Sequence, residues 1–457
     1  MTEKISENKM GIMPIGKLVI TMSLPMMISM LVTALYNVVD SVFVSRIGED
    51  ALTAVSLAFP IQNLMIALST GTGVGINAML SMNLGRKDFK AVNRVAMNGI
   101  FLAVCSYLIF LVFGLFFTRA FFESQTSNPK IVDYGCQYMN TIAIMSFGIF
   151  GQITFDRLLQ ATGKTLYTLF TQGIGAVINI ILDPIMIFGL WGFPALGVKG
   201  AAIATVTGQI IAMIMALMFN LKKNHEINFQ FANFKPHLQT IRGIYSVGVP
   251  SIIMASIGSV MTFGMNKILL SFTSTAAAVF GVYFKLQSFV FMPVFGLNNG
   301  MIPIVAYNYG AKNRLRIIKT IKVCVCFAIT FMTMGFLIFE LFPEKLFALF
   351  NASEQMLLIG IPALKIIAIH FFAASFCVVF MSVFQAMGNG VASLVVSVTR
   401  QLVVLLPAAW LLSKTGNITM VWWAFPIAEV FSLVFSSLFL RKIYIKQIKP
   451  LPEGSVT

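Results

Sequence analysis

Residues 18–40 read LVITMSLPMMISMLVTALYNVVD: an uncharged, mostly apolar run from Leu18 to Val39, closed by the carboxylate of Asp40. A helix crossing ~30 Å of hydrocarbon needs ~20 such residues. The run therefore predicts a membrane-spanning helix that carries an acid. Runs of similar length recur at Val95–Thr118, Tyr134–Phe155 and Ala201–Leu221. Two longer ones, Ala51–Gly85 and Ile366–Thr399, are expected to hold a helix plus part of a loop or a neighbour. Hydrophobic residues make up 58% of the 457-residue chain and charged residues 11%, with a mean hydropathy of +0.87. An ordinary soluble domain carries about 25% charged residues. The expectation is an all-α, polytopic membrane protein with twelve transmembrane helices in two six-helix lobes related by pseudo-two-fold symmetry.

The two halves share one register. Adding 225 to a residue number takes Pro25 to Pro250, Ala51 to Ala276, Gln62 to Gln287, Gly71 to Gly296 and Gly75 to Gly300. The same offset takes Asn83, Gly85 and Lys87 to Asn308, Gly310 and Lys312, and still takes Gln160 and Gly163 to Gln385 and Gly388. A constant offset over that length marks a duplicated structural unit. Six spans per repeat keep both repeats in the same orientation, as in secondary transporters whose halves rock about a central cavity. The expected divisions are a cytoplasmic tail at 1–14, an N-lobe at 15–220, a polar cytoplasmic linker with a short amphipathic segment at 221–240, a C-lobe at 241–441 and a second tail at 442–457. After the second span of each repeat, Asn83–Lys87 and Asn308–Lys312 are expected to form tight basic turns in which Gly85 and Gly310 supply the permissive backbone.

Residues 1–14 are polar and mixed in charge, and the first apolar run exceeds a signal-peptide core, so span one is expected to be retained. The net charge of +16 does not imply a nucleic acid. With both termini in the cytoplasm, 22 of the 32 Lys and Arg fall on the cytoplasmic side and six outside, which is the positive-inside bias. The expected location is the cell membrane, multi-pass, with the bilayer as partner and the chain as a monomer. Cys105, Cys136, Cys324, Cys326 and Cys377 lie scattered among apolar residues and suggest neither a disulfide framework nor a zinc site. A phosphate-binding Gly-rich loop, HExxH and a Ser/His/Asp grouping are all missing, which argues against an enzyme or an ATP-driven pump. No cofactor is expected.

An acid within a spanning helix costs about 2.5–3.5 kcal/mol and needs a reason. Asp40 and Asp183 are such acids, and neither recurs in the second half, where Met265 and Ala408 take their places. Tyr36 and Asn37 share a helix face with Asp40, and Asn179 shares one with Asp183. Pro184 removes a backbone donor and frees the carbonyl of Ile180 beside the acid. Two carboxylates, an amide and a phenol converging in a lobe could hold a proton or coordinate a small cation; the alternative is buried acids satisfied by hydrogen bonds alone. Asn37, Gln62 and Glu429 are assigned to the substrate cavity, with pairing to Arg400 or Lys285 as the alternative for Glu429. Asp156-Arg157 is expected at a solvated or paired cytoplasmic surface, and His370 in hydrogen-bonded packing. Some of the 28 Met and 43 Phe could line an adaptable cavity.

These residues resemble the multidrug and toxic-compound extrusion (MATE) family over nearly the whole chain. The resemblance rests on Ser23-Leu24-Pro25 with Tyr36-Asn37-Val38-Val39-Asp40, on Asn179-Ile180-Ile181-Leu182-Asp183-Pro184, and on Gly197–Thr205. Leu159-Gln160-Ala161-Thr162-Gly163 and Gln385-Ala386-Met387-Gly388 add to it. The span-five motif and Pro426-Ile427-Ala428-Glu429 are similar to the DinF branch and, within it, to MepA-like bacterial exporters. The resemblance implies export of amphipathic, mostly cationic drugs in exchange for H⁺ or Na⁺. It implies an ion-coupling site of Tyr36, Asp40, Asn179, Asp183 and Thr205, the last depending on how the loop before span six is aligned. The C-lobe acid pair of the NorM-like branch is absent, since Met265, Asn266 and Lys267 stand in the matching span. A lipid-linked precursor flippase of the same superfamily is one alternative: Lys267, Lys285 and Arg400 suit it, while twelve spans and the N-lobe acids do not. An integral membrane enzyme or sensor is another, disfavoured by the missing catalytic groupings.

Overall fold

The computed structural model describes residues 7–229, 234–350 and 352–454, and among these the regular structure is entirely helical. Among the described residues ten helices are long and apolar enough to cross a membrane. In the first half these are Ile15–Ser45, Glu49–Gly85, Phe89–Phe116, Thr165–Phe188 and Val198–Lys223, here spans one, two, three, five and six. In the second half they are Leu238–Leu270, Ser274–Gly310, Arg314–Leu341, Gly390–Ser413 and Ile418–Ile448, spans seven, eight, nine, eleven and twelve. Two bent pairs complete the twelve: Pro129–Ile144 with Phe147–Ala161 (43°) as span four, and Glu354–Ala368 with Phe371–Ala386 (51°) as span ten. Both bends occupy matching places in the repeat.

The run Ala51–Gly85, expected to include a loop, is instead one unbroken helix of 37 residues, Glu49–Gly85. Its repeat partner, Ser274–Gly310, is also 37 residues long. At ~1.5 Å per residue each reaches ~55 Å, well beyond the hydrocarbon thickness, so their ends extend past it or the helices tilt. Gly85 and Gly310 do not bend the following turns, because both are the last helical residues. The left-handed positions are Lys87 (φ 59°) and Lys312 (φ 58°). Asp88 and Asn313 then cap the next helices by accepting from Ala91 N and Arg316 N. The linker has no helix among its described residues 224–229 and 234–237; residues 230–233, where part of the amphipathic segment was expected, lie outside the described residues. It is tied down instead: Glu226 pairs with Lys164 and accepts from Asn8 Nδ2 (3.1 Å), and His237 N donates to Asn98 Oδ1 (2.9 Å).

By contacts the chain divides into two units, one of residues 1–8 and Ile28–Gly248, the other of Lys9–Met27 and Val249–Thr457. Each unit therefore takes the beginning of the other repeat's first helix. The glycines that recur at the 225 offset make room for these segments. In the first unit a Cβ on Gly75 would stand 2.1 Å from the carbonyl oxygen of Ile244 in span seven. In the second, a Cβ on Gly300 would stand 2.4 Å from Ser23 Oγ, and one on Gly296 would stand 2.4 Å from Met27 Cα, both in span one. The second unit also secures Lys9–Met13: the buried Arg316 donates to the carbonyls of Met10 (3.1 Å) and Met13 (2.7 Å) and to Asn308 Oδ1 (3.1 Å).

Candidate ion-coupling site

Spans five and six approach closely within the first unit because small residues face each other. A Cβ on Gly208 would lie 2.6 Å from the carbonyl oxygen of Gly175, and one on Gly175 would lie 3.1 Å from that of Gly208. Small residues at such a crossing let helix backbones approach and bring polar side chains within bonding distance. One turn along, the amide of Asn179 bridges the helices, donating to Thr205 Oγ1 (3.3 Å) and to Asp183 Oδ1 (3.4 Å). Thr205 in turn donates to the carbonyl of Ala201 (3.0 Å). The helix Thr165–Phe188 continues through Pro184 without a break.

Span one brings Asp40 to this pair: its carboxyl is within hydrogen-bonding reach of Asp183, and the Tyr36 phenol feels the charge of both acids. All five residues of the expected ion site thus meet in one unit. Asp183 and Asn179 are buried, while Tyr36, Asp40 and Thr205 are half-buried. Three buried oxygens of the cluster accept from no protein donor: Asp40 Oδ1, Asp183 Oδ2 and Asn179 Oδ1. The amide explains the last, since its NH₂ is spent on Asp183 and Thr205 and its oxygen is left as an acceptor.

The residues assigned to a substrate cavity divide. Asn37 is exposed, and Gln62 donates to the buried Tyr138 phenol (3.2 Å), itself within electrostatic reach of Asp40, Tyr36 and Asp183. Glu429 belongs to the other unit, where Arg400 Nη1 donates to its Oε2 (3.4 Å); Lys285 lies over the Phe350 ring instead. Sequence reasoning passed over Tyr138. The signal available was the polar series Gln137, Tyr138, Asn140 and Thr141 inside an apolar span. Asp156-Arg157 departs from expectation, for both residues are buried rather than solvated. Asp156 accepts from Thr171 Oγ1 (2.7 Å) and Gln172 Nε2 (3.1 Å), and Ser29 of span one donates to Gln172 Oε1. His370 is buried, with its ring at the Ile367 carbonyl (2.5 Å). The five cysteines are all free.

Comparison with known proteins fits this architecture. The MatE family model matches residues 25–185 and again 250–411, two stretches that begin at Pro25 and Pro250 of the repeat. The chain belongs to the MatE family. As a member it is a multi-pass membrane transporter and not an enzyme. It is 26% identical over 416 residues to the multidrug export protein MepA of Staphylococcus haemolyticus, covering 91% of each chain. It is 24% identical to a FAD transporter of Shewanella oneidensis, covering 91% of this chain and 92% of that one. In fold it matches the outward-facing conformation of a multidrug resistance MATE family transporter of the MOP superfamily with a TM-score of 0.92 at 23% identity, covering 98% of this chain and all of that one.

Proposed function

We propose that the chain is a secondary multidrug antiporter that exports amphipathic, mostly cationic compounds in exchange for H⁺ or Na⁺ across a cell membrane, with both termini in the cytoplasm. The observation that carries this reading is the meeting of Asp40 and Asp183 beside three buried acceptor oxygens that have no protein donor. An intramembrane acid pair of this kind is costly unless it binds something. A proton would bridge the two carboxyls. A sodium ion would take oxygen ligands from the carboxylates, the Asn179 carbonyl and the Thr205 hydroxyl, the donor type that hard cations prefer. Loading removes one of the pair's two negative charges, changes the environment of span one at Asp40, and drives alternating access that expels the drug. Tyr36 and Asn179 hold the acids in register, while Asn37 and Gln62 contribute to the substrate path. The similarity to MepA supports drugs as cargo.

The relative named as a FAD transporter favours a second reading, export of a large anionic nucleotide. Proteoliposomes separate the two. With an imposed pH or Na⁺ gradient, gradient-driven movement of ethidium supports the first reading, and movement of FAD without ethidium replaces it with the second. Movement of neither under either gradient contradicts ion-coupled export.

A further inference from the structure

The second unit contains a cavity of about 260 Å³ that the coupling reaction does not use. Its walls are apolar and adaptable, with the rings of Phe284, Phe291, Phe295 and Phe425 beside Met261 and Met292. Its polar end is the Arg400–Glu429 ion pair, with Gln401 and His370 alongside. Glu429 is only 4% exposed at its side chain and Arg400 23%. Exchanging a buried ion pair for apolar residues is often neutral or stabilising, so stability alone does not account for this one.

The backbone at the pair is also unusual. Thr399–Leu405, which carries both Arg400 and Gln401, is a seven-residue π-helical stretch inside span eleven. Pro407 follows it and removes a helical hydrogen bond where an α-helix would continue. Widened turns of this kind are rare and concentrate at functional sites. Around the pair, buried polar atoms lack protein partners: Glu429 Oε1, Ser432 one turn further along the same helix, and the Tyr283 phenol, which feels the Glu429 charge. His370 presents an aromatic face as well, stacked on Phe291 at 6.0 Å.

We propose that this cavity is a binding site for net-neutral, dipolar aromatic compounds, with a carboxylate on Arg400, an ammonium on Glu429 and the rings among the phenylalanines. The charge balance selects the class. Arg400 and Glu429 sum to zero in apolar surroundings, so a ligand with net charge would leave one charge uncompensated there. A zwitterion compensates both. Methionine-lined walls repack around varied ring systems, which makes the site selective for head-group charge rather than ring shape. It differs in kind from the acid cluster of the first unit, which suits cations.

The test uses the full chain in phosphatidylcholine nanodiscs and two probes that share a fluorophore. Nε-dansyl-lysine ends in a zwitterion, and dansylcadaverine ends in a lone ammonium. Wild type is compared with Arg400→Gln, Glu429→Gln and the double variant, which is free of charge and keeps the cavity neutral. Each single variant is expected to weaken Nε-dansyl-lysine at least about tenfold, the effect of losing one charged hydrogen bond. Arg400→Gln is expected to strengthen dansylcadaverine, because it leaves a lone carboxylate. A merely structural pair would not reverse the preference between probes. The double variant is expected to lose the zwitterion by at least about tenfold while binding dansylcadaverine as wild type does. That comparison holds even if a single variant fails to fold. Equal binding of Nε-dansyl-lysine to wild type and the double variant, or no binding to wild type, overturns the proposal.

Discussion

Gly300 of span eight lies so close to Ser23 of span one that a Cβ on the glycine would stand 2.4 Å from the serine hydroxyl. Gly75, its partner in the repeat, stands in the same relation to Ile244 of span seven. The duplicated glycines are thus the seats on which each unit receives the opening segment of the other repeat's first helix.

Overpacking a filled contact costs about 1–3 kcal/mol. Gly75→Ala meets backbone at 2.1 Å and is expected to lower thermal stability by that order, and Gly300→Ala likewise. Gly173→Ala, where the new methyl meets nothing within 4 Å, is the control. It should raise stability by about 0.5–1 kcal/mol through helix propensity. Thermal unfolding of the purified protein in one detergent compares the three.

Arg316 holds the carbonyls of Met10 and Met13 and the side chain of Asn308 from a fully buried position. Arg316→Ala is expected to cost about 1.5–3 kcal/mol, the range for charge-assisted hydrogen bonds. Limited proteolysis should then cut near Met13 faster than in wild type. An unchanged cleavage pattern would show that the N-terminal segment is held by other contacts.

Asp156 is a buried acid whose two oxygens are taken by Thr171 and Gln172. Asp156→Ala leaves the Gln172 amide without its acceptor, while Thr171 Oγ1 can still donate to the carbonyl of Thr168 (2.9 Å), and should destabilise by about 1–3 kcal/mol. Asp156→Asn keeps one acceptor and should lose less. If both variants melt as wild type does, the network contributes nothing to the fold.

Thr205 is joined to Asp183 only through the Asn179 amide. Thr205→Ser keeps the hydroxyl and should retain gradient-driven efflux. Thr205→Ala removes one neutral hydrogen bond, worth about 0.5–1.5 kcal/mol, and should slow efflux by about two- to tenfold. Equal rates for the two variants would remove Thr205 from the ion site.

The sequence was most informative where spacing alone dictates geometry. The 225 offset and the apolar runs anticipate twelve spans, and the helical spacing of Tyr36 with Asp40 and of Asn179 with Asp183 anticipates shared faces. Three features were out of reach for physical reasons. The exchange of opening segments depends on which helix fills the space over Gly75 and Gly300, and a glycine's own letter does not name its neighbour. The positive backbone angle fell on Lys87 and Lys312 because the helices run through Gly85 and Gly310 before they turn. Asp156 looked solvated because an Asp-Arg pair near a span end usually is. Its burial comes from Thr171 and Gln172, on a helix that begins after it in sequence.

The central claim is that Asp40 and Asp183 couple ion entry to export. The most direct measurement is ethidium transport by proteoliposomes under an imposed pH gradient and, separately, an imposed Na⁺ gradient, with Asp40→Asn and Asp183→Asn beside wild type. The account predicts that one gradient drives wild-type transport and that each variant, folded and of normal melting temperature, loses at least about tenfold of the gradient-driven rate, the loss of one charge-assisted contact. Gradient-driven export at the wild-type rate by both variants would contradict it.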